Sequence, residues 1–242
     1  MKPFWLNGLK FSLGPLLWFQ GQRVRKRIPL LPEPMGDRIG QIGSGQPLRL
    51  LIMGDSSAAG VGVSDQQDGL LGHILQTLKA QYQIDFELRA RTGANTRDAL
   101  ADLNQALKTD WPPDVRFDVV VTALGVNDVT GQLGFQKWCQ QQHTLLETIH
   151  QKLQPKQLIV SGLPPMHLFP ALPTPLRQYM GAWANLFNDE LQKITSQHPQ
   201  STFLAVRDLP SPKDVASDGF HPGPQTYQKW GQAVAEIIHR VV

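Results

Sequence analysis

From residue 48 onward the chain alternates short apolar runs with longer segments whose apolar residues return at helical spacing, and few architectures satisfy both periods at once. Strand-like runs cover 48–53, 84–89, 118–124, 157–162 and 202–206, and the third contains Val119, Val120, Val121 and Thr122 in succession. Between them, Leu70, Leu71, Ile74, Leu75 and Leu78, then Ala99, Leu100, Leu103 and Leu107, then Leu145, Leu146, Ile149 and Leu153 fall on helical faces. A strand apolar on both faces must be covered twice. Five such strands separated by helices therefore predict an α/β domain with a parallel sheet between two helical layers. The segment 164–199 opens with clustered prolines and then sets Leu176, Met180, Trp183, Phe187, Leu191 and Ile194 on one face, which suits a rim or lid. A last helix is expected over 225–242, with Pro222 placed to open it.

What precedes residue 48 differs in kind. Residues 1–20 include Trp5, Leu9, Phe11, Leu13, Leu16, Leu17, Trp18 and Phe19, and the chain then turns to Arg23, Arg25, Lys26 and Arg27. Aromatic side chains next to cations suit a membrane interface. The uncharged stretch 11–22 falls short of the roughly 20 apolar residues that a spanning helix needs. A peripheral membrane contact through residues 1–27 is the favoured expectation, with an arm packed on its own domain and an export signal as alternatives. Residues 28–47, rich in Pro and Gly, read as a linker, so the division is a segment at 1–47 and a domain at 48–242. The expected location is cytoplasmic, peripheral at the membrane.

The formal net charge is +3 over 242 residues, yet the first 40 carry +5 and the rest −2. A mildly acidic body repels a phosphate backbone, and no nucleic-acid partner is expected. The lone cysteine, Cys139, excludes an internal disulfide and a Cys-based zinc cluster.

Functional groups of open α/β sheets gather at the carboxyl ends of strands. The first strand runs into Gly54-Asp55-Ser56-Ser57, where a serine on a tight turn can present its hydroxyl to a cleft. The second ends in Arg91-Thr92-Gly93-Ala94-Asn95 and the third in Gly125-Val126-Asn127-Asp128. Near the end stands Asp218-Gly219-Phe220-His221-Pro222. An Asp and a His three apart can pair through Nδ1, leaving Nε2 to face a serine, and these are the parts of acyl transfer.

These four blocks, in this order, make the chain similar to the SGNH hydrolases, the GDSL-type esterases and lipases. The resemblance covers about residues 48–242 and implies a flavodoxin-like three-layer α/β/α sandwich with a five-stranded parallel sheet. It implies Ser56 as nucleophile, His221 as base and Asp218 as the group that orients it. It also implies an oxyanion hole from the N–H groups of Ser56 and Gly93 and the amide of Asn127, with no cofactor and no metal. Ser57 stands where the family's older name has Leu, outside the reacting set.

The resulting expectation is a serine esterase working through an acyl-enzyme on lipid-derived or short-to-medium acyl esters, in the manner of a lysophospholipase or esterase. A carbohydrate O-acetyl esterase is the alternative within the class, and a non-catalytic membrane-binding module the alternative outside it. Asp55 and Asp128 read as braces of their turns, Cys139 as a packing residue, and His167 as a candidate wall of the acyl pocket.

Overall fold

The computed structural model describes residues 4–132, 134–209 and 214–241. Six strands form one sheet: β1 (Ile39–Ile42), β2 (Gln46–Gly54), β3 (Tyr82–Ala90), β4 (Val119–Ala123), β5 (Gln157–Ser161) and β6 (Ser201–Leu204). Their spatial order is β1-β3-β2-β4-β5-β6, and every pairing is parallel except β1 on β3. The five parallel strands are those legible in the sequence, and their order (second, first, third, fourth, fifth) is flavodoxin-like. The sixth strand corrects the expected count. β1 reads Ile-Gly-Gln-Ile, too short and too interrupted to signal a strand, and it forms because an open edge of β3 offers it hydrogen-bond partners.

Alternating burial along the strands builds two cores. Leu48, Leu50, Ile52, Val119 and Val121 face α2 (Leu70–Leu78) and α7 (Pro224–Val241). Leu51, Met53, Val120, Leu158 and Val160 face α3 (Thr96–Thr109), α5 (Phe135–Leu153) and α6 (Leu176–Ser196), where Trp138 stacks on Phe187 at 3.9 Å. Two layers of helices on one sheet are what strands apolar on both faces require. α7 begins at Pro224, two residues beyond Pro222, because its first turn is capped from outside: Asp214 accepts the Thr226 N–H and, at 2.7 Å, the Thr226 hydroxyl.

Residues 4–27 form α1 (Phe4–Arg27), which packs on α6. Leu13, Leu17 and Val24 make one stripe against the α5–α6 core, and Gln20 on the same stripe donates to the Thr174 carbonyl (2.8 Å) and accepts from the Leu176 N–H (3.1 Å). The far side of the helix leaves Leu16, Trp18 and Phe19 in solvent beside Arg23, Lys26 and Arg27. The side chain of Trp5, which belongs to the same aromatic set, lies outside the described residues. Among the described residues no helix is long and apolar enough to cross a membrane.

Candidate active site

β2 ends at Gly54 and the chain turns sharply through Asp55 and Ser56. The turn is fixed at both ends: the Asp55 N–H donates to the Ala123 carbonyl at the end of β4 (3.1 Å), and the Asp55 carboxylate accepts the Ser57 N–H (2.9 Å). Burial pushes the Asp55 carboxyl up to about 6, against the pull of that N–H. Ser56 is thereby held at the sheet's carboxyl end with Oγ 2.8 Å from His221 Nε2.

His221 comes from the loop before α7. Asp218 Oδ1 accepts the backbone N–H groups of Phe220 (2.9 Å) and His221 (3.0 Å), and Oδ2 lies 2.5 Å from His221 Nδ1. The Asp218 side chain is fully buried and that of His221 is 13% exposed. Burial opposes ionisation of Asp218, but the three N–H donors outweigh it and hold the carboxyl below its ordinary value. A carboxylate can only accept, so Nδ1 carries the hydrogen; Nε2 of the neutral ring is then the acceptor, and the Ser56 hydroxyl donates to it. Close packing keeps the two loops in register. Gly62, at φ +116°, brings its backbone so near Pro222 that a Cβ there would sit 2.5 Å from the Pro222 carbonyl.

The strands on either side of β2, β3 and β4, end beside it. Gly93 follows β3 with φ +81°, a conformation that side chains disfavour. Among the described residues, neither the Gly93 N–H nor the Ser56 N–H has a hydrogen-bond partner. Asn127 lies in α4 (Val126–Thr130) and gives one amide hydrogen to the Ala94 carbonyl (2.9 Å), which leaves the other uncommitted. Asp128 ties the same turn to the start of α3, accepting from the Thr96 N–H (3.2 Å) and hydroxyl (2.8 Å), while Gln142 donates to that hydroxyl (2.8 Å). Burial raises the Asp128 carboxyl although the Thr96 bonds oppose it.

An apolar pocket adjoins the site, walled by Leu124, Leu163, Phe169, Val206, Phe220 and Trp230, with Asp55 and His221 also in its lining. Phe169 meets Phe220 edge-on at 4.9 Å, so the 164–176 segment supports the histidine loop. His167 is not part of that wall; it is exposed, in a short 3₁₀ turn packed near Gly181. Leu176, expected on a rim or lid, is instead buried with Leu172 in the α5–α6 core. Among the described residues no three His, Cys, Asp or Glu side chains are grouped to hold a metal ion. Burial pushes the half-buried Cys139 thiol up to about 11, which keeps it protonated and unreactive at neutral pH.

Three supporting residues carried no sequence signal. Asp214 braces α7 from ten residues before it, Tyr227 donates its hydroxyl to the Val61 carbonyl (2.7 Å), and Glu33 accepts from the Thr92 N–H (2.6 Å) and hydroxyl (2.9 Å). Each acts across a long loop or between distant segments, where neither periodicity nor a local motif marks it.

Residues 52–229 match the GDSL-like Lipase/Acylhydrolase family. The chain belongs to that family. This acylhydrolase is therefore an ester-hydrolysing enzyme built on a mixed α/β sandwich. Solved structures of the same fold include a catalytic mutant of Axe2, an acetylxylan esterase from Geobacillus stearothermophilus, with 15% identity and a TM-score of 0.56 over 82% of this chain and 95% of that one. Others are a carbohydrate esterase family 2 enzyme from Corynascus, with 15% identity and a TM-score of 0.61 over 88% of this chain and 68% of that one, and TesA, with 20% identity and a TM-score of 0.58 over 80% and 99%. No curated protein matches the sequence.

Proposed function

We propose that this acylhydrolase is a serine esterase in which Ser56 is the nucleophile, His221 the general base and Asp218 its orienting carboxylate. The observation that carries this reading is the continuous relay from Asp218 through both ring nitrogens of His221 to Ser56 Oγ, with contacts of 2.5 and 2.8 Å. As Oγ attacks the ester carbonyl carbon, its proton passes to Nε2, and the Asp218 charge stabilises the imidazolium. The carbonyl oxygen becomes an oxyanion, for which the unpartnered N–H groups of Ser56 and Gly93 and the spare Asn127 hydrogen are the donors. Nε2–H then protonates the departing alkoxide, leaving an acyl ester on Ser56. Water, deprotonated by His221, attacks that ester; the acid leaves and Ser56 regains its proton.

For the substrate we propose a lipid-derived or short-to-medium acyl ester, because the surface beside His221 is lined by aliphatic and aromatic side chains, the chemistry that favours an acyl chain. The exposed face of α1 adds a means of meeting such substrates at an anionic lipid surface. Trp18 is 64% exposed, and among the described residues none of Arg23, Arg25, Lys26 and Arg27 has an acidic partner. A carbohydrate O-acetyl ester is the second reading, favoured by the acetylxylan esterase among the structural neighbours. The rate on p-nitrophenyl esters from acetyl to palmitoyl, beside release from lysophospholipid and from acetylated xylan, separates the two. Rates that peak at butyrate or longer support the lipid reading; a sharp preference for acetyl with turnover of xylan overturns it.

A further inference from the structure

The stretch that the sequence marks as a linker is strapped across the two loops that carry the site. Glu33, flanked by Pro32 and Pro34, accepts from the Thr92 N–H at 2.6 Å and the Thr92 hydroxyl at 2.9 Å, and its other oxygen meets Arg38 Nη1 at 2.7 Å. Arg38 Nη2 in turn donates to the Ala90 carbonyl, and the Arg38 carbonyl accepts from the Leu88 N–H (2.7 Å). The ion pair thus grips both sides of the turn that presents Gly93: the last carbonyl of β3 and the N–H immediately before the glycine. One residue on, Pro34 packs on Gly60 of the nucleophile loop, where a Cβ would come 2.8 Å from Pro34 Cγ. Met35 then exchanges backbone bonds with Ser64 (3.1 Å) and Gln66 (2.7 Å).

The Gly93 turn needs such a grip. The Arg91 N–H reaches the Gly54 carbonyl at a long 3.3 Å, the Ala94 N–H closes onto the Arg91 carbonyl at 3.2 Å, and Asn127 holds the Ala94 carbonyl after the glycine, which leaves the side before it to Glu33. Gly93 itself is exposed, and a Cβ there would touch nothing within 4 Å, so the glycine makes no close contact on its Cβ side. The Glu33 carboxyl is held below its ordinary value because the Thr92 and Arg38 bonds outweigh the cost of its partial burial, so it stays charged across the working range.

We infer that Glu33, with Arg38, is a positioning residue for the reaction: it aims the Gly93 N–H at the developing oxyanion. The inference rests on the proposed role of Gly93 as an oxyanion donor. Glu33 touches no reacting atom, and its effect belongs in the transition state, where a donor displaced by about 1 Å loses up to roughly 10²-fold in rate.

The test compares full-length wild type with Glu33→Ala and Glu33→Gln on p-nitrophenyl butyrate, with a trifluoromethyl ketone whose hemiketal oxygen mimics the oxyanion. Hydrogen exchange at the Thr92 amide, which Glu33 accepts, and thermal melting are measured in parallel. Glu33→Ala is expected to lose about tenfold in kcat with KM within twofold, to bind the ketone about tenfold more weakly, and to exchange faster at the Thr92 amide. Glu33→Gln keeps an oxygen for Thr92 but loses the ion pair, and should fall between the two; it also serves as the readout if the alanine variant does not fold. Unchanged exchange, kcat and ketone affinity in a folded variant would overturn the clamp itself. Faster exchange with unchanged kcat and ketone affinity would instead overturn the role of Gly93, leaving the rest of the serine mechanism intact.

Discussion

Replacing Asp218 by Asn changes one atom in a buried position and should stop the enzyme without unfolding it. The Asn oxygen can still accept the Phe220 and His221 N–H groups that now lie 2.9 and 3.0 Å from Oδ1, so the loop keeps its shape. The other side is the difficulty, because an NH₂ would face Nδ1 where an oxygen now sits 2.5 Å away. Two donors cannot share that contact. The ring must shift its hydrogen to Nε2, and a protonated Nε2 cannot take the proton of Ser56. In comparable triads the equivalent change costs about 10⁴ in kcat, or about 5 kcal/mol of barrier. Melting should fall only modestly, since two of three bonds survive while the stabilising charge that holds the carboxyl below its ordinary value is lost. Asp218→Ala, by contrast, orphans two part-buried N–H groups, each costing at most about 1–3 kcal/mol, and should melt earlier as well. Steady-state kinetics on p-nitrophenyl butyrate, with melting curves of both variants, check this. A loss below tenfold for Asp218→Asn, or one confined to KM, would refute the assignment of Asp218 as the orienting carboxylate.

Asn127→Ala should lower kcat by about 10²–10³ with KM little changed, the signature of a donor used in the transition state; a raised KM at constant kcat would make it a substrate-binding residue only. Asp55→Asn should gain stability relative to wild type as pH rises through about 6, because a carboxyl raised by burial stabilises the fold while neutral and costs it once ionised. From the ordinary 3.8 to about 6, that gain is at most about 3 kcal/mol, and equal pH dependence of the two proteins in chemical denaturation would contradict it. Gly62→Ala should cost both stability and kcat, since its Cβ would push the nucleophile loop off Pro222; unaltered melting and turnover would show that the loops are not so tightly held. Joint replacement of Trp18 and Phe19 by Ser should weaken co-sedimentation with anionic vesicles while sparing kcat on a soluble ester, whereas Leu17→Asp should undock α1 and lower the melting temperature. Vesicle binding that survives loss of Trp18 and Phe19, in salt as without it, would contradict a lipid-facing role for α1.

The central strands were legible because burial on both faces leaves them almost wholly apolar, as in Val119-Val120-Val121, and because helical spacing of leucines separates them. The four blocks at strand ends were legible because a tight turn after a strand demands Gly, Asp, Ser or Asn, and the chemistry draws on the same residue types. β1 was not, since an edge strand of Ile-Gly-Gln-Ile owes its form to a partner more than forty residues away. Nor was the docked stripe of α1 visible: Leu13, Leu17 and Val24 share it with the polar Gln20, while Leu16, Trp18 and Phe19 are equally apolar and face solvent. Pro15 within that helix further disguises it. Glu33 was hidden for the same reason as β1, because its partner Thr92 lies 59 residues on and only the folded chain joins them.

The proposed mechanism requires that Ser56 carry the acyl group. Wild-type enzyme treated with a fluorophosphonate should lose activity in step with one covalent adduct, and mass spectrometry of its peptides should place that adduct on Ser56. His221→Ala should abolish the labelling. Full inactivation with the adduct on another residue, or robust ester turnover by Ser56→Ala free of host esterase, would contradict it.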